Sequence, residues 1–248
     1  MMRVTMTNSS TQAFAAYLDQ VAWPIALTSQ QIAALVQGYG LVLSANEHLN
    51  LTRLIEPEAY WEKHLWDSLQ GLALLELPSE GRAIDVGSGA GFPGIPLAIC
   101  LPTWQFTLLD STQRKVAFLQ ELAGSLALAS VQAIAGRAET LGHEQDFRAQ
   151  YDLATIRAVG SAPECLEYCL PFLKTGGQAL LYRGHWTDAE ADTCAAAAKL
   201  LGGAVVATHA FTTPVTAGQR HCLIVRKTRA TPLDYPRRPG IPKQQPLP

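Results

Sequence analysis

The chain has 248 residues, of which 48% are hydrophobic, and it carries a formal net charge of −2 at pH 7. This length and composition predict a soluble globular protein with one domain of ordinary size plus an extension. We expect no membrane span, because the longest apolar stretch (residues 94–101) is far shorter than the ~20 residues that a span requires. The first ten residues lack a signal-peptide pattern, so we expect a cytoplasmic protein.

The first part of the chain is predicted to be helical. A short helix is expected at about residues 13–20. A second helix is more strongly marked, because Thr28 and Gln31 form a T-x-x-Q capping box and apolar residues follow at helical spacing. A third helix begins near Pro57, which suits the first turn of a helix. We therefore expect residues 1–80 to form a helical segment packed on the rest of the chain.

Short β-branched runs alternate with helical stretches from residue 82 onward, as in a mostly parallel sheet with crossover helices. Seven strands are predicted, at residues 82–86, 105–109, 131–135, 152–156, 178–183, 204–211 and 220–227. The loop before the last strand is too short for a crossover helix, so the last two strands should be antiparallel. The predicted fold is α/β, with a Rossmann-like sheet that ends in an antiparallel hairpin.

A glycine-rich turn, Gly-Ser-Gly-Ala-Gly-Phe-Pro-Gly at residues 87–94, follows the first strand at the start of a helix. Glycine lets the backbone approach a ligand closely. The turn fits both the GxGxG pattern of methyltransferases and the GxGxxG pattern of dinucleotide-binding proteins. Asp110 ends the second strand, where both classes place an acidic residue on the ribose, so these features predict a nucleoside without identifying it.

Two further carboxylates favour S-adenosylmethionine as that nucleoside. Asp85 lies in the first strand just before the glycines, where a carboxylate would face the cationic amino-acid end of this cofactor. Glu139 follows the third strand, where it would border the adenine. The alternative is that both are ordinary turn residues, since short motifs often arise without function. No metal is expected, because the five cysteines include no Cys-x-x-Cys pair and read as reduced thiols.

Several motifs together resemble the small-subunit rRNA methyltransferase G family, also called glucose-inhibited division protein B. They are Asn-Leu-Thr at 50–52, His-Leu-Trp-Asp-Ser-Leu at 64–69, the glycine turn, Leu-Leu-Asp-Ser-Thr at 108–112, Gly-Arg-Ala-Glu at 136–139, Ile-Arg-Ala at 156–158 and the seventh strand. The eight-residue turn is far more specific than GxGxG alone. The resemblance covers the chain from about residue 30 to its end, including Tyr-Pro-Arg-Arg-Pro-Gly-Ile-Pro at 235–242.

The resemblance implies a class I methyltransferase that moves a methyl group from S-adenosyl-L-methionine to N7 of a guanine in the decoding-region loop of 16S rRNA, releasing S-adenosyl-L-homocysteine. Its methyltransferase core would span residues 81–228, followed by a tail at 229–248. The implied cofactor site comprises Gly87, Phe92, Asp110, Ser111, Thr112, Ala138, Glu139 and Arg157. The pattern of the turn itself adds Asp85 and Gly89 to the predicted cofactor residues. The implied substrate or catalytic residues are Asn50, Arg183 and Arg220, although several relatives have lysine in place of Arg183, and the two cations bond differently.

The chemistry of the implied reaction agrees with the residues present. Guanine N7 has a lone pair and no proton to lose, so methyl transfer to it needs alignment, worth ~7–11 kcal/mol of barrier, and no general base. His64, Asp67 and Ser68 share a helix face by spacing, but adjacent turns of one helix rarely form a nucleophilic triad. We predict instead a hydrogen-bonded cluster that joins the N-terminal helices to the sheet.

The end of the chain is basic and rich in proline. Residues 220–248 contain seven basic residues and one acidic residue, whereas the rest of the chain has 12 basic and 20 acidic residues. Six of the 18 residues from Thr231 are proline, which predicts an extended, solvated tail. We expect this arm, including Arg237 and Arg238, to contact 16S rRNA or the small ribosomal subunit, since cations that neutralise phosphates add salt-dependent affinity. The alternative is a tail that only increases solubility.

Other functions stay open at the level of sequence. A nicotinamide-dependent oxidoreductase would differ in its choice of cofactor, and a non-catalytic RNA- or ribosome-binding module would bind RNA without transferring methyl groups. A methyltransferase for another nucleic acid or a small molecule is a further alternative, because fold and cofactor site do not fix the substrate. We expect a monomer without membrane contact.

Overall fold

The computed structural model describes residues 8–248 and is built around a seven-stranded sheet. The strands are β1 (Arg82–Val86), β2 (Gln105–Asp110), β3 (Val131–Ala135), β4 (Tyr151–Arg157), β5 (Leu173–Arg183), β6 (Gly203–Thr212) and β7 (Gln219–Lys227). Their order is β3-β2-β1-β4-β5-β7-β6, and β7 is antiparallel to both of its neighbours while the other pairs are parallel. The predicted sheet and its C-terminal antiparallel hairpin are confirmed.

Helical segments precede the sheet, as predicted: α1 (Asn8–Leu18), α2 (Ser29–Leu49), α3 (Pro57–Tyr60), a π-helical turn (Trp61–Trp66) and α4 (Asp67–Leu72). The capping box of α2 is confirmed, because Thr28 Oγ1 accepts the N–H of Gln31 at 3.2 Å and the Gln31 side chain accepts the N–H of Thr28 at 2.9 Å. The rings of Phe14 and Tyr39 stack with centroids 4.1 Å apart and join α1 to α2. A π-helical turn is rare and occurs often at functional sites.

Helices cover both faces of the sheet. They are α5 (Gly94–Cys100), α6 (Gln113–Ser125), α7 (Ala138–Leu141), α8 (Ala162–Cys169) and α9 (Asp188–Leu201). α8 and α9 pack on Ile84, Val86 and Ile156, whereas α5, α6 and the N-terminal helices pack on the opposite face. Among the described helices, none is long and apolar enough to cross a membrane. With both faces covered, the carboxyl ends of the parallel strands are where a ligand can reach the sheet.

β5 is the strand that differs most from its prediction, because it begins at Leu173 and not at residue 178. The intervening residues include two glycines and a lysine, so they lack the alternation of apolar and polar residues that marks a strand. Leu173 pairs with Tyr151, and the register then shifts, so that Leu153 pairs with Gln178. β5 thus advances five residues while β4 advances two, and the three extra residues interrupt the period of two that marks a strand.

The proline-rich end of the chain is folded against the core, so the predicted extended, solvated tail is wrong. Arg148 donates hydrogen bonds of 2.6–3.2 Å to four backbone carbonyls, those of Gly142, Thr231, Pro232 and Tyr235. A short helix, α10 (Ile241–Gln244), follows, and Leu247 is buried in the core. Prolines prevent regular structure, but their rings are apolar and pack well, and burying one leucine side chain contributes about 1.5–3 kcal/mol.

Candidate active site

The glycine turn leaves β1 in a conformation that other residues rarely adopt. The N–H groups of Gly87 and Ser88 both donate to the carbonyl of Leu109, at 2.7 and 3.0 Å, which ties the turn to the end of β2. Gly87 has a φ of +74°, and a Cβ there would lie 2.6 Å from Cγ2 of Val159. Glycine is therefore required at this position for two reasons, a positive φ and close packing against the segment after β4.

Asp85, near the end of β1, is hydrogen-bonded to the last residue of this turn. Its carboxylate is buried, with Oδ1 accepting the hydroxyl of Thr155 at 2.8 Å and Oδ2 accepting the N–H of Gly94 at 3.1 Å. Burial raises the pKa of Asp85, and these hydrogen bonds lower it in part. The contacts support a role in holding the two ends of the turn together. A direct contact between Asp85 and the amino-acid end of a cofactor stays a prediction.

Asp110 closes β2 with a carboxylate that is fixed on both sides. Oδ2 accepts the N–H of Gly89 at 2.9 Å, and Oδ1 accepts the N–H of Thr112 at 2.8 Å. Ser111 and Thr112 are exposed, and Thr112 occupies the N-cap position of α6. The carboxylate therefore links the glycine turn to the start of the next helix and lies where the two meet.

Glu139 lies in α7, almost fully buried, on the other side of the same opening. Its Oε1 accepts the backbone N–H of Gly240 at 2.9 Å and lies 3.9 Å from the guanidinium of Arg137. Gly240 belongs to the tail, which the sequence patterns place in solvent. Gly240 was therefore not among the predicted site residues, although the Pro-Arg-Arg-Pro-Gly-Ile-Pro motif around it was part of the resemblance.

Asp110 and Glu139 border one cavity of about 200 Å³. Of the predicted cofactor residues, five line it: Gly87, Asp110, Ser111, Ala138 and Glu139. Other residues of the wall, none of them predicted, include Val159, Glu164, Tyr168, Gly240 and Lys243. Residues that follow β1, β2 and β3 therefore meet the tail at one cavity.

Phe92 and Arg157 lie outside that cavity, in a second cluster beside the π-helical turn. The guanidinium of Arg157 donates to Asp67 Oδ2 at 3.0 Å and to the carbonyl of Lys63 at 2.6 Å. Its central carbon lies 5.8 Å from the centroid of the Phe92 ring, and the imidazole of His64 stacks on the same ring at 4.4 Å. The end of β4 is thus joined to the N-terminal helices by an ion pair and an aromatic stack.

His64 is held neutral in this cluster. Its Nδ1 lies 3.3 Å from a guanidinium nitrogen of Arg157, which can only donate, so Nδ1 carries the lone pair. The proton therefore sits on Nε2 and is donated to Thr52 Oγ1 at 2.9 Å. Burial, with Arg157 nearby, lowers the pKa of His64 to about 3. Ser68 donates to the backbone carbonyl of His64 and not to its ring, so the predicted structural cluster is confirmed.

The three candidate catalytic residues lie in different surroundings. Nε of Arg220 is 3.8 Å from Asp67 Oδ1, so this residue joins the second cluster. Arg183 instead donates to the carbonyl of Gly160 at 2.5 Å and lies 3.8 Å from a carboxylate oxygen of Glu190. Asn50 is exposed at the C-cap of α2, with φ 49° and ψ 50°. Their roles in catalysis stay predictions.

Comparison with known proteins identifies the family. The family model of rRNA small subunit methyltransferase G matches residues 31–223. The chain is 53% identical to a ribosomal RNA small subunit methyltransferase G from Synechococcus sp. (strain JA-3-3Ab), over 94% of this chain and 91% of that protein. It is 47% identical to a protein of the same name from Trichormus variabilis, over 89% of this chain and 92% of that protein.

Solved structures show the same fold at low sequence identity. A predicted O-methyltransferase from Agrobacterium tumefaciens matches with a TM-score of 0.52 and 17% identity, over 66% of this chain and 82% of that chain. A putative methyltransferase from Bacillus halodurans matches with a TM-score of 0.50 and 13% identity, over 66% of this chain and 99% of that chain. The Rossmann-like fold of class I methyltransferases is thus confirmed. Together with the motifs and the cavity at the glycine turn, these similarities show that the chain belongs to the rRNA small subunit methyltransferase G family.

Proposed function

We propose that the chain transfers a methyl group from S-adenosyl-L-methionine to N7 of a guanine in the decoding-region loop of 16S rRNA. Membership of the family supports methylation of rRNA. One observation carries the proposal: the glycine turn, Asp110 and Glu139 border a single cavity in a chain that matches the family over most of its length.

The residues around the cavity fit the nucleoside part of this cofactor. A Cβ at Gly89 would have the carbonyl oxygen of Gly87, 3.9 Å away, as its nearest neighbour, so this side of the turn is open. Each oxygen of Asp110 accepts one backbone N–H, and an ionised carboxylate has about four acceptor sites. Asp110 thus keeps acceptor capacity for ribose hydroxyls, while Glu139 would border the base.

The arrangement suits a reaction that needs alignment and no base. The cofactor would supply an electrophilic methyl group on a sulfonium. Both nitrogens of His64 are engaged and its pKa is lowered to about 3, so it stays neutral and is not free to accept a proton from a substrate. The ion pairs of Arg157 and Arg220 with Asp67 would fix the wall beside the reacting groups, and rigid placement is the main contribution required.

The RNA contact predicted for the basic arm needs a revision. The guanidinium of Arg237 is bound to the buried carboxylate of Glu167, with 2.7 Å between Nη2 and Oε2, so it is not free to bind a phosphate. Arg238 is exposed, and the side chain of Arg220 is partly exposed. We propose that these two arginines contact the rRNA, with affinity that falls as salt rises.

The test is to incubate the full chain with radiolabelled S-adenosylmethionine and small ribosomal subunits from cells that lack the enzyme, and to map the label. We expect label on N7 of one guanine in the decoding-region loop. Cofactor binding without label on any form of rRNA would refute the substrate. RNA binding without methyl transfer would favour a non-catalytic module, and hydride transfer with a nicotinamide would favour an oxidoreductase.

A matched pair of variants tests the cofactor site separately. In Asp110→Asn, the amide oxygen can accept the N–H of Gly89 or that of Thr112, but the NH₂ group of the asparagine then faces the remaining backbone N–H, and two donors cannot pair. We therefore expect about tenfold weaker binding of S-adenosylmethionine. Asp146→Asn, an exposed site in the loop before β4, is the control and should bind as the unchanged chain does. Equal affinities of both variants, measured by calorimetry, would contradict the assignment of Asp110.

A further inference from the structure

The tail is anchored to α8 by a buried ion pair. Glu167 is fully buried, and its Oε1 accepts both the backbone N–H of Arg237 at 2.7 Å and the guanidinium Nε at 2.9 Å. The second oxygen accepts Nη2 at 2.7 Å, which completes a bidentate pair. A buried carboxylate without a partner is costly, so Glu167 strongly favours the docked tail over a free one.

Three residues beyond this anchor, the tail reaches the candidate cofactor cavity. The N–H of Gly240 donates to Glu139, which is only 4% exposed, and Gly240 and Lys243 line the cavity wall. Gly240 has a φ of +89°, a conformation that glycine adopts without strain. Packing is close as well, because a Cβ at Gly142, the C-cap of α7, would lie 2.9 Å from Pro236.

The contact of the tail with Glu167 and its contact with Glu139 are only three residues apart. Residues 237–240 connect the ion pair at Glu167 to the hydrogen bond at Glu139, and α10 follows directly. If the tail left the core, Glu139 would lose its hydrogen bond from Gly240 and one side of the cavity would open to water. The position of the Glu139 carboxylate therefore depends on residues about 100 positions later in the chain.

We propose that tail residues 235–245 are a structural wall of the cofactor site, and that they position Glu139 for the nucleoside. The inference rests on the proposed function, because it takes S-adenosylmethionine as the ligand of this cavity. Arg237 and Gly240 act as positioning residues through Glu167 and Glu139. Linkage then requires the reciprocal effect: a ligand that binds better when the tail is docked must also hold the tail in place.

Other roles of the tail would change ligand binding differently. A tail that merely occupied the cavity would compete with the nucleoside, so loosening the tail would strengthen binding of the nucleoside. A tail unrelated to the site would leave binding unchanged. Only a wall that positions Glu139 makes binding weaker when the anchor is broken.

The experiment measures the affinity of the full chain for S-adenosylhomocysteine by calorimetry. Arg237→Ala removes the side-chain anchor, and we expect about tenfold weaker binding, the effect of losing one charge-assisted hydrogen bond at Glu139. Arg237→Lys keeps the charge without the bidentate geometry, so its affinity for S-adenosylhomocysteine should lie between those of the unchanged chain and Arg237→Ala. Arg226→Ala, which removes an exposed arginine of β7 away from the cavity, is the control and should bind as the unchanged chain does. Circular dichroism checks that each variant is folded.

Hydrogen exchange on the unchanged chain gives a second readout that does not depend on any variant. We expect S-adenosylhomocysteine to slow exchange of the N–H groups of the non-proline residues within 236–245, Gly240 included, along with those of the glycine turn. Slowing confined to the glycine turn, or equal or tighter binding by Arg237→Ala, would overturn the proposal. A full chain that binds neither S-adenosylhomocysteine nor S-adenosylmethionine would instead refute the proposed function.

Discussion

The buried imidazole of His64 predicts a specific loss of stability in acid. It stacks on Phe92, donates to Thr52 and accepts from Arg157, and its pKa is lowered to about 3 from an ordinary value of 6.5. Protonating Nδ1 would place a second cation against the guanidinium in a site that water barely reaches. The folded chain therefore resists a proton that the unfolded chain binds readily.

The sign and size of the effect follow from linkage. Between pH 3 and pH 6.5 the unfolded chain holds more protons on His64 than the folded chain, so stability rises with pH in this window and falls as pH is lowered. Each pH unit is worth about 1.4 kcal/mol where the unfolded imidazole is fully protonated. Lowering the pH from about 6.5 to about 4.5 should then cost about 2 kcal/mol through His64 alone.

The assay is urea unfolding at these two pH values for the unchanged chain and for His64→Gln. A glutamine amide can donate to Thr52 and accept from Arg157 but does not titrate, so the variant should lose about 2 kcal/mol less on acidification. Carboxylates titrate in both chains and cancel in the comparison. His48→Gln, at an exposed position of α2, is the control and should behave as the unchanged chain does. Equal losses in His64→Gln and the unchanged chain would refute the reasoning.

Two other substitutions test the architecture around the site. Gly87→Ala places a methyl group 2.6 Å from Val159 at a φ of +74°, so the affinity for S-adenosylmethionine should fall at least tenfold. Unchanged affinity by calorimetry would contradict the close packing of the turn. Glu62 accepts three hydrogen bonds of 2.7 Å from the β6–β7 loop, two from the backbone N–H groups of Val215 and Thr216 and one from the Thr216 hydroxyl. Glu62→Gln weakens them, so the free energy of unfolding in urea should fall by about 1–2 kcal/mol. An unchanged urea midpoint would count against this link.

The elements that could be predicted from the sequence are those whose signal is local. The capping box at Thr28 depends on atoms three residues apart, and the alternation of apolar runs with helical stretches identified seven strands and a final hairpin. The glycine turn is equally local, since positive φ values are open to glycine wherever it stands. Five of the ten predicted cofactor residues meet at one cavity because the carboxyl ends of β1, β2 and β3 lie side by side in the sheet.

Contacts between distant segments were beyond such patterns. A proline-rich stretch predicts the absence of regular structure, but whether it packs depends on partners far away in the chain: Glu139, Arg148 and Glu167 hold this tail by hydrogen bonds that no periodicity encodes. Arg183 and Arg220 were both candidate catalytic residues, yet Arg183 donates to the carbonyl of Gly160 and Arg220 approaches Asp67. Local propensities establish which elements form in this chain, whereas the complementarity of buried charges and surfaces across the fold establishes which of their side chains meet.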